Sequence, residues 1–368
     1  MKQERLTKAV KIGGFSHINP VFAGGNNPIV IQTMWKDRLD FSDLEEAAKK
    51  INLLEAMGCG LLRFAVPDIQ SAEVLGHLAK MVPMPLVADI HFDYKIALRC
   101  MDFPVAKIRI NPGNIGGKEK VRAVLEKAAA GKIPIRIGVN AGSLPSDLRR
   151  RVNEGEAVSL ALVEAAQREI SIFEEFGFKD YLVSMKTTGI ADNISANQIL
   201  SGRTDAPLHI GVTEAGPLVA GTARNTAALL TLLTEGIGGT IRVSLSDTME
   251  NEIIAAREII AAAAQLAPED ERLRRHEVSI ISCPRCGRAG FDTHGFTSRW
   301  LQRLYAVKKD ITIAIMGCEV NGPQEAKNAD LGITGAGNKV LIFKRGKIIK
   351  TTASDKADNI FNEELDKL

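Results

Sequence analysis

Three cysteines supply the first recognisable chemistry. Cys283 and Cys286 stand three apart in Ser282-Cys283-Pro284-Arg285-Cys286-Gly287, and Cys318 follows the apolar run Ile311-Thr312-Ile313-Ala314-Ile315. A tight Pro/Gly turn points two sulfurs at one centre and a strand end can supply the next, which is metal-binding geometry. A structural zinc site or an ordinary iron–sulfur cluster takes about four protein ligands, and no fourth Cys lies nearby. One position is therefore left for a weaker ligand or a substrate, the feature that separates catalytic from structural metal sites. Glu325 is the nearest candidate for it, with Glu319 and His294 behind. A zinc knuckle closed by His294 is the competing arrangement.

A second group of reactive side chains is cationic and spread along the chain. Arg63, Arg109 and Arg136 each sit near the end of a short apolar run. Guanidinium forks match phosphate oxygens by paired hydrogen bonds. One such Arg alone reads as an ion pair; three at matched positions point to an anionic small molecule. Other runs end on Asp89 and His91, Asn111, Asn140, Lys186, Glu214, and Arg242 with Asp247.

The elements that must position these residues follow a regular rhythm. Apolar, β-branched runs occur at 27–34, 60–66, 85–91, 105–111, 133–140, 180–186, 207–214 and 240–247. Helical patterns separate them, at 41–57, 69–81, 94–101, 118–130, 157–176, 191–201, 221–235 and 249–266. Runs with little polar alternation are buried on both faces, as parallel strands between helices are. Eight βα units in about 245 residues predict a (β/α)8 TIM-type barrel. A doubly wound open sheet is the alternative, but no strand–Gly-rich-turn–helix fingerprint supports it. In a barrel the polar strand ends converge on one face, where active sites lie. Residues before 27 read as a hairpin capping the barrel. The expected barrel spans 1–266, a charged linker with Pro268 spans 267–276, and a smaller α+β domain built to hold the metal spans 277–368.

Composition excludes several function classes. The chain has 368 residues, 45% hydrophobic, with a net charge of +3 and 5% aromatics. That charge is too slight for a nucleic-acid footprint, and so few aromatics make no base-stacking surface. There is no apolar run of about 20 residues to span a membrane and no signal-peptide core. Cys59 and Cys100 stand alone in apolar contexts. The pattern fits a reducing cytoplasm and a metal site rather than a disulfide framework. The last barrel helix runs from the mouth back about 27 Å at roughly 1.5 Å per residue, so the second domain departs from the barrel's bottom. A head-to-tail homodimer, with one chain's metal domain over another's barrel mouth, is the expected assembly.

Long motifs carry a resemblance. Val87-Ala88-Asp89-Ile90-His91-Phe92-Asp93 and Arg109-Ile110-Asn111-Pro112-Gly113-Asn114 resemble those of the 4-hydroxy-3-methylbut-2-enyl diphosphate synthase family, in its two-domain bacterial form. Ile135–Ser143, Gly211-Val212-Thr213-Glu214-Ala215-Gly216, Arg242-Val243-Ser244-Leu245, Cys283-Pro284-Arg285-Cys286 and Gly317-Cys318-Glu319-Val320-Asn321-Gly322-Pro323 match as well. The resemblance implies a 4Fe-4S cluster held by Cys283, Cys286, Cys318 and Glu325. It implies an oxidoreductase of the methylerythritol phosphate route to isoprenoid precursors. Its substrate would be 2-C-methyl-D-erythritol 2,4-cyclodiphosphate, and its electrons would come from flavodoxin or ferredoxin. Arg63, Asp89, Arg109, Asn111, Arg136, Asn140, Lys186 and Asn321 would contact substrate. Glu325, Glu214 and Asp247 would be catalytic, with Asp89 and His91 as further acid candidates. A non-redox iron–sulfur dehydratase acting on a sugar phosphate is the alternative, and a zinc-stabilised binding module without catalysis is another. Three departures from the family pattern stand out: Met34-Trp35-Lys36-Asp37 in place of a Thr-rich turn, Gln324 in place of Gly, and no basic residue at 217–223, with Arg224 beyond.

Overall fold

The computed structural model describes residues 7–319, 322–323 and 326–368. It divides into two compact units, Met1–Arg274 and Arg275–Leu368.

In the first unit the buried apolar runs become eight parallel strands. They are β3 (Val30–Met34), β4 (Leu61–Ala65), β5 (Leu86–Asp89), β6 (Lys107–Ile110), β7 (Ile135–Asn140), β8 (Tyr181–Lys186), β9 (His209–Ile210) and β10 (Thr240–Ile241). Their order is β8-β7-β6-β5-β4-β3-β10-β9. A parallel bridge between Val183 and Leu208 joins the two ends of that order, with Val183 N donating to Pro207 O at 3.1 Å. The sheet is thus a barrel, as the eightfold rhythm predicts. Each strand is followed by a helix. Side-chain caps start several of these: Asp68 accepts from Ser71 N, Asp93 from Lys95 N, and Thr248 from Asn251 N. Each cap satisfies an orphan helix N–H and fixes where the helix leaves the barrel rim.

The last two strands are shorter than their sequence runs. After Ile210 the chain turns at Gly211, where a Cβ would lie 2.3 Å from Arg242 O; only glycine lets the two backbones approach so closely. Buried amides then replace the sheet ladder. Asn193 Nδ2 donates to Gly211 O at 3.1 Å, and Val212 N donates to Asn225 Oδ1 at 3.3 Å. Between the expected strands and helices lie two short helices, Pro112–Ile115 and Ser146–Asn153. Pro112 has no N–H to lose at the first helical position.

The strand beginnings are sealed by the N-terminal hairpin, β1 (Val10–Ile12) against β2 (Val21–Ala23). Val10, Ile12, Ile18 and Ala23 share one apolar cluster with Val30, Leu61, Val87, Ala106 and Leu182. Beyond the final barrel helix, Met249–Leu266, the chain passes this same end. Ile29 N donates to Arg272 O at 3.0 Å, and Arg272 Nη1 donates to Gly238 O at 3.4 Å.

The second unit is a five-stranded sheet, β11 (Ser279–Ser282), β12 (Thr312–Met316), β13 (Leu331–Ala336), β14 (Lys339–Lys344) and β15 (Lys347–Ala353), in that order. The first three strands are parallel and the last two antiparallel. Arg345 and Gly346, both at positive φ, make the two-residue turn between β14 and β15, the geometry that suits a twisted hairpin. Helices Thr293–Tyr305 and Ala357–Asp366 pack Phe296, Trp300, Leu304, Phe361 and Leu365 on Ile313, Ile315, Leu331, Ile333 and Ile342. No described helix is long and apolar enough to cross a membrane.

Candidate active site

A TIM-type barrel is normally filled by layers of branched apolar side chains. Here its upper interior is ionic. Lys107 is fully buried, and its Nζ donates to Gln32 Oε1 at 3.3 Å. Because β6 and β3 are not neighbours in the sheet, that bond runs through the interior. Arg136 on β7 is 1% exposed, and its Nε and Nη1 have no hydrogen-bond partner among the described residues. Above them, Asp89 at the end of β5 holds two arginines. Arg109 Nη1 donates to its Oδ1 at 3.0 Å, and Arg63 Nε lies 3.4 Å from Oδ2. Lys186, buried at the end of β8, lies 3.1 Å from His209 Nε2, whose Nδ1 lies 2.6 Å from Thr240 Oγ1.

Cations in this space outnumber carboxylates. Arg63, Lys107, Arg109, Arg136, Lys186 and Arg242 face Asp89 and Glu252. Burial, followed by the neighbouring guanidinium groups, drives the proton affinity of Arg136 and Lys186 well below ordinary values. Burial lowers Lys107 in the same way, with Arg136 and Arg63 adding to it. Arg63 is pushed down to about 10, again by burial first. Burial alone would raise the pKa of Asp89, but Arg63 and Arg109 outweigh it and keep the carboxylate ionised. Since a guanidinium stays charged in proteins, arginines buried among like charges leave this interior favouring an incoming anion. Gly138 makes the packing possible: a Cβ there would lie 2.2 Å from Arg109 Nε.

Of the expected substrate contacts, Arg63, Asp89, Arg109, Arg136 and Lys186 therefore lie in one shared electrostatic field. Asn140 joins them, its Oδ1 3.2 Å from Arg109 Nη2 in the amide orientation that satisfies both its ends. Asn111 is buried at the start of the short helix after β6. His91 Nε2 accepts from Arg109 Nη1 at 2.8 Å, which makes it a support for that arginine. Glu214 is exposed and adopts φ 52° after β9. Asp247 accepts from Thr248 N at 2.7 Å and Asn251 Nδ2 at 2.6 Å. The Thr248 N–H, and then Asn251, hold its carboxyl below the usual range. Asn321 and Glu325, like Gln324, lie outside the described residues.

Lys107, Glu252 and Lys36 went unnoticed as site residues in the sequence, and Arg242 appeared there only as a strand-end residue. The available signal was the two-residue spacing of Lys107 and Arg109, which puts both on the inner face of one strand. Beside this mouth lies a cavity of about 380 Å³. Met34, Trp35 and Phe64 are among its walls, and the Trp35 and Phe64 rings stack at 5.5 Å.

The cysteines of the second unit gather at one sheet edge. Cys283 follows β11 and its N donates to Ile315 O at 2.9 Å, while Cys318 comes two residues after the adjacent parallel strand β12. Between Cys283 and Cys286 the loop bends at Arg285, φ 71°. It closes through Ala289 N to Cys286 O (3.0 Å) and Gly290 N to Gly317 O (2.8 Å). Cys283 Sγ lies 3.7 Å from where a Gly317 Cβ would be. Cys286 is exposed, and the backbone N–H of Arg288 lowers its pKa, favouring thiolate. His294 is exposed at the second position of its helix. Among the described residues no three His, Cys, Asp or Glu surround one point as ligands of a single ion would. A four-iron cubane gives each cysteine its own iron and does not need such convergence. Thiolates from two adjacent strand ends and a loop that folds back on them are the soft donors that an iron–sulfur centre takes.

The description of one family model, the GcpE TIM-barrel domain, matches residues 7–257, and that of a second, the GcpE protein C-terminal domain, matches 279–367. The chain belongs to the GcpE family. Three relatives match it over most or all of their lengths. The 4-hydroxy-3-methylbut-2-en-1-yl diphosphate synthase (flavodoxin) of Treponema denticola is 49% identical over 395 residues, covering 100% of both chains. That of Treponema pallidum is 50% identical, covering 93% of this chain and 85% of its own. The protein of the same name from Thermodesulfovibrio yellowstonii is 42% identical over 100% of both. The two family models thus cover the barrel, with its cationic interior, and the second unit, with its cysteine loop.

Proposed function

We propose that the chain reductively opens 2-C-methyl-D-erythritol 2,4-cyclodiphosphate and dehydrates it to 4-hydroxy-3-methylbut-2-enyl diphosphate. The names of the relatives support this reading. The observation that carries it on this chain is the buried, under-neutralised cation group around Arg136. A diphosphate brings the charge and acceptor oxygens that such a group lacks.

Binding would use Arg63, Arg109, Arg136 and Lys186 to hold the diphosphate, with Asn111, Asn140 and Asn321 orienting the sugar. Arg109, Arg136 and Lys186 are buried, so these contacts would be stronger than on a surface. Cys283, Cys286, Cys318 and Glu325 would hold a 4Fe-4S cluster. When bound, the cluster supplies electrons one at a time and an iron whose carboxylate ligand is weaker than thiolate. Two electrons and one proton open the C–O bond to phosphate and release the C3 hydroxyl as water. The proton needs a donor near that hydroxyl. Asp89 is ionised between two arginines, His91 accepts from Arg109, and Asp247 is held as an anion. Glu214 makes no hydrogen bond or ion pair recorded among the described residues, is exposed on a mouth loop, and is our choice of acid.

Reduced flavodoxin is the proposed donor, with ferredoxin the alternative, in a reducing cytoplasm. The chain leaves its barrel at the strand beginnings, beside Ile29 and Gly238. A head-to-tail homodimer, in which the 277–368 unit of one copy serves the 1–266 barrel of another, accommodates that exit. Anaerobic purification with metal analysis tests the cluster. Turnover of the cyclodiphosphate with and without reduced flavodoxin tests the reaction, and activity that needs no reductant would remove the redox step.

A further inference from the structure

Glu252 stands at the edge of the anion cup and ties its rim together. It is the fourth residue of the last barrel helix and is 1% exposed. Its Oε1 accepts from Lys36 Nζ at 2.9 Å, Leu245 N at 3.0 Å and Arg242 Nη2 at 3.3 Å. Its Oε2 accepts from Thr33 Oγ1 at 2.5 Å. Lys36 Nζ also donates to Leu245 O at 2.8 Å.

These partners come from both sides of one seam. Thr33 lies on β3 and Lys36 in the turn after it, while Arg242 and Leu245 follow β10. The β3–β10 ladder ends at Ile31 and Ile241, whereas on its other side β3 stays paired to β4 as far as Met34 and Arg63. Above Ile31 the Glu252 carboxylate and Lys36 take over the role of the missing ladder. The departure at Lys36 thereby gains a structural purpose.

We propose that Glu252 is a positioning residue for the diphosphate site: it fixes the Arg242 guanidinium and, through Thr33 and Lys36, locks the first βα turn to the last. The inference rests on the diphosphate reading of the cup. Charge alone argues the other way, because deleting a carboxylate beside a cationic cup raises its potential and should tighten anion binding. Positioning wins because the same substitution loosens both sides of the seam: Lys36, 2.9 Å from Glu252, and Arg242 lose their ion-pair partner, and preformed geometry is what makes such sites bind.

The two effects differ in sign, so calorimetry of inorganic pyrophosphate binding to the full chain separates them. Glu252→Gln should weaken binding about tenfold. Thr33→Val, which changes no charge, should weaken it about threefold and decides the matter if Glu252→Gln does not fold. Lys36→Met should add less to Glu252→Gln than it costs alone, since the two share one network. Unchanged or tighter binding in Glu252→Gln, or in Thr33→Val where that variant decides, overturns the inference. Arg136→Met serves as the control. If it abolishes binding while Glu252→Gln and Thr33→Val leave binding unchanged or tighter, only the positioning role fails. If the wild type does not bind pyrophosphate at all, the diphosphate reading fails and the inference with it.

Discussion

The barrel mouth and the cysteine loop reach function by opposite routes. In the barrel, the reactive groups stand on strands and are buried before any ligand arrives: Arg136 is 1% exposed and Lys107 wholly buried. In the second unit the cysteines proposed as ligands lie past strand ends, and Cys286 is exposed on a loop closed by a few backbone hydrogen bonds. The barrel spends folding stability to hold like charges together, whereas the loop would gain order on binding the proposed cluster. Substitutions should therefore have opposite signatures in the two regions.

The largest effect should come from Cys318→Ser. One thiolate fewer should leave an oxygen-labile or incomplete cluster, so iron content should fall and turnover with reduced flavodoxin should drop at least about a hundredfold, while the barrel's thermal unfolding barely moves. Arg136→Met should behave differently. Losing a charged contact to phosphate should lower kcat/KM about a hundredfold. Removing an uncompensated buried cation should at the same time raise stability by about 1–3 kcal/mol, measurable by denaturant unfolding. An Arg136→Met protein both inactive and less stable would contradict the contrast.

Glu169 offers a smaller test inside the barrel unit. It accepts from Gly113 N at 3.2 Å, under the loop that carries Asn111. Burial raises its pKa to about 7, against a partial lowering by the Gly113 N–H. A carboxyl raised in the folded state contributes stability fully below its ordinary value of 4.5, and loses it as pH rises through about 7. Glu169→Gln should therefore stabilise the protein at pH 8 by up to about 3 kcal/mol and do little at pH 4, as read from unfolding midpoints at the two pH values. The smallest effect should be that of Asp247→Asn. Its carboxylate is occupied by Thr248 and Asn251 at the helix start, so the variant should lose about 1 kcal/mol of stability and keep most of its turnover, whereas Glu214→Gln should lose turnover with little change in KM.

Much of this contrast was legible in the sequence because each signal was local. Apolar runs separated by helical patterns predicted the barrel, and polar residues at their ends predicted a cationic mouth. The cysteine turn declared itself by spacing. What escaped was what only closure creates. Lys107 reads as a blemish in an apolar strand until the interior bond to Gln32 on a non-neighbouring strand is seen. Glu252 reads as an ordinary acidic residue in a helix's first turn, where it favours the helix dipole, until β3 and β10 are side by side. The early end of β9 escaped as well, because it depends on how closely Gly211 approaches Arg242 O.

The central claim joins a diphosphate-binding barrel to an iron–sulfur reductant. Its most direct test is one anaerobic assay on protein of known metal content, following cyclodiphosphate consumption with reduced flavodoxin present or absent. A brown protein with about four irons per chain, converting the substrate only when flavodoxin is reduced, is the expected result. A colourless protein holding one zinc, or conversion that continues without reductant, would contradict it.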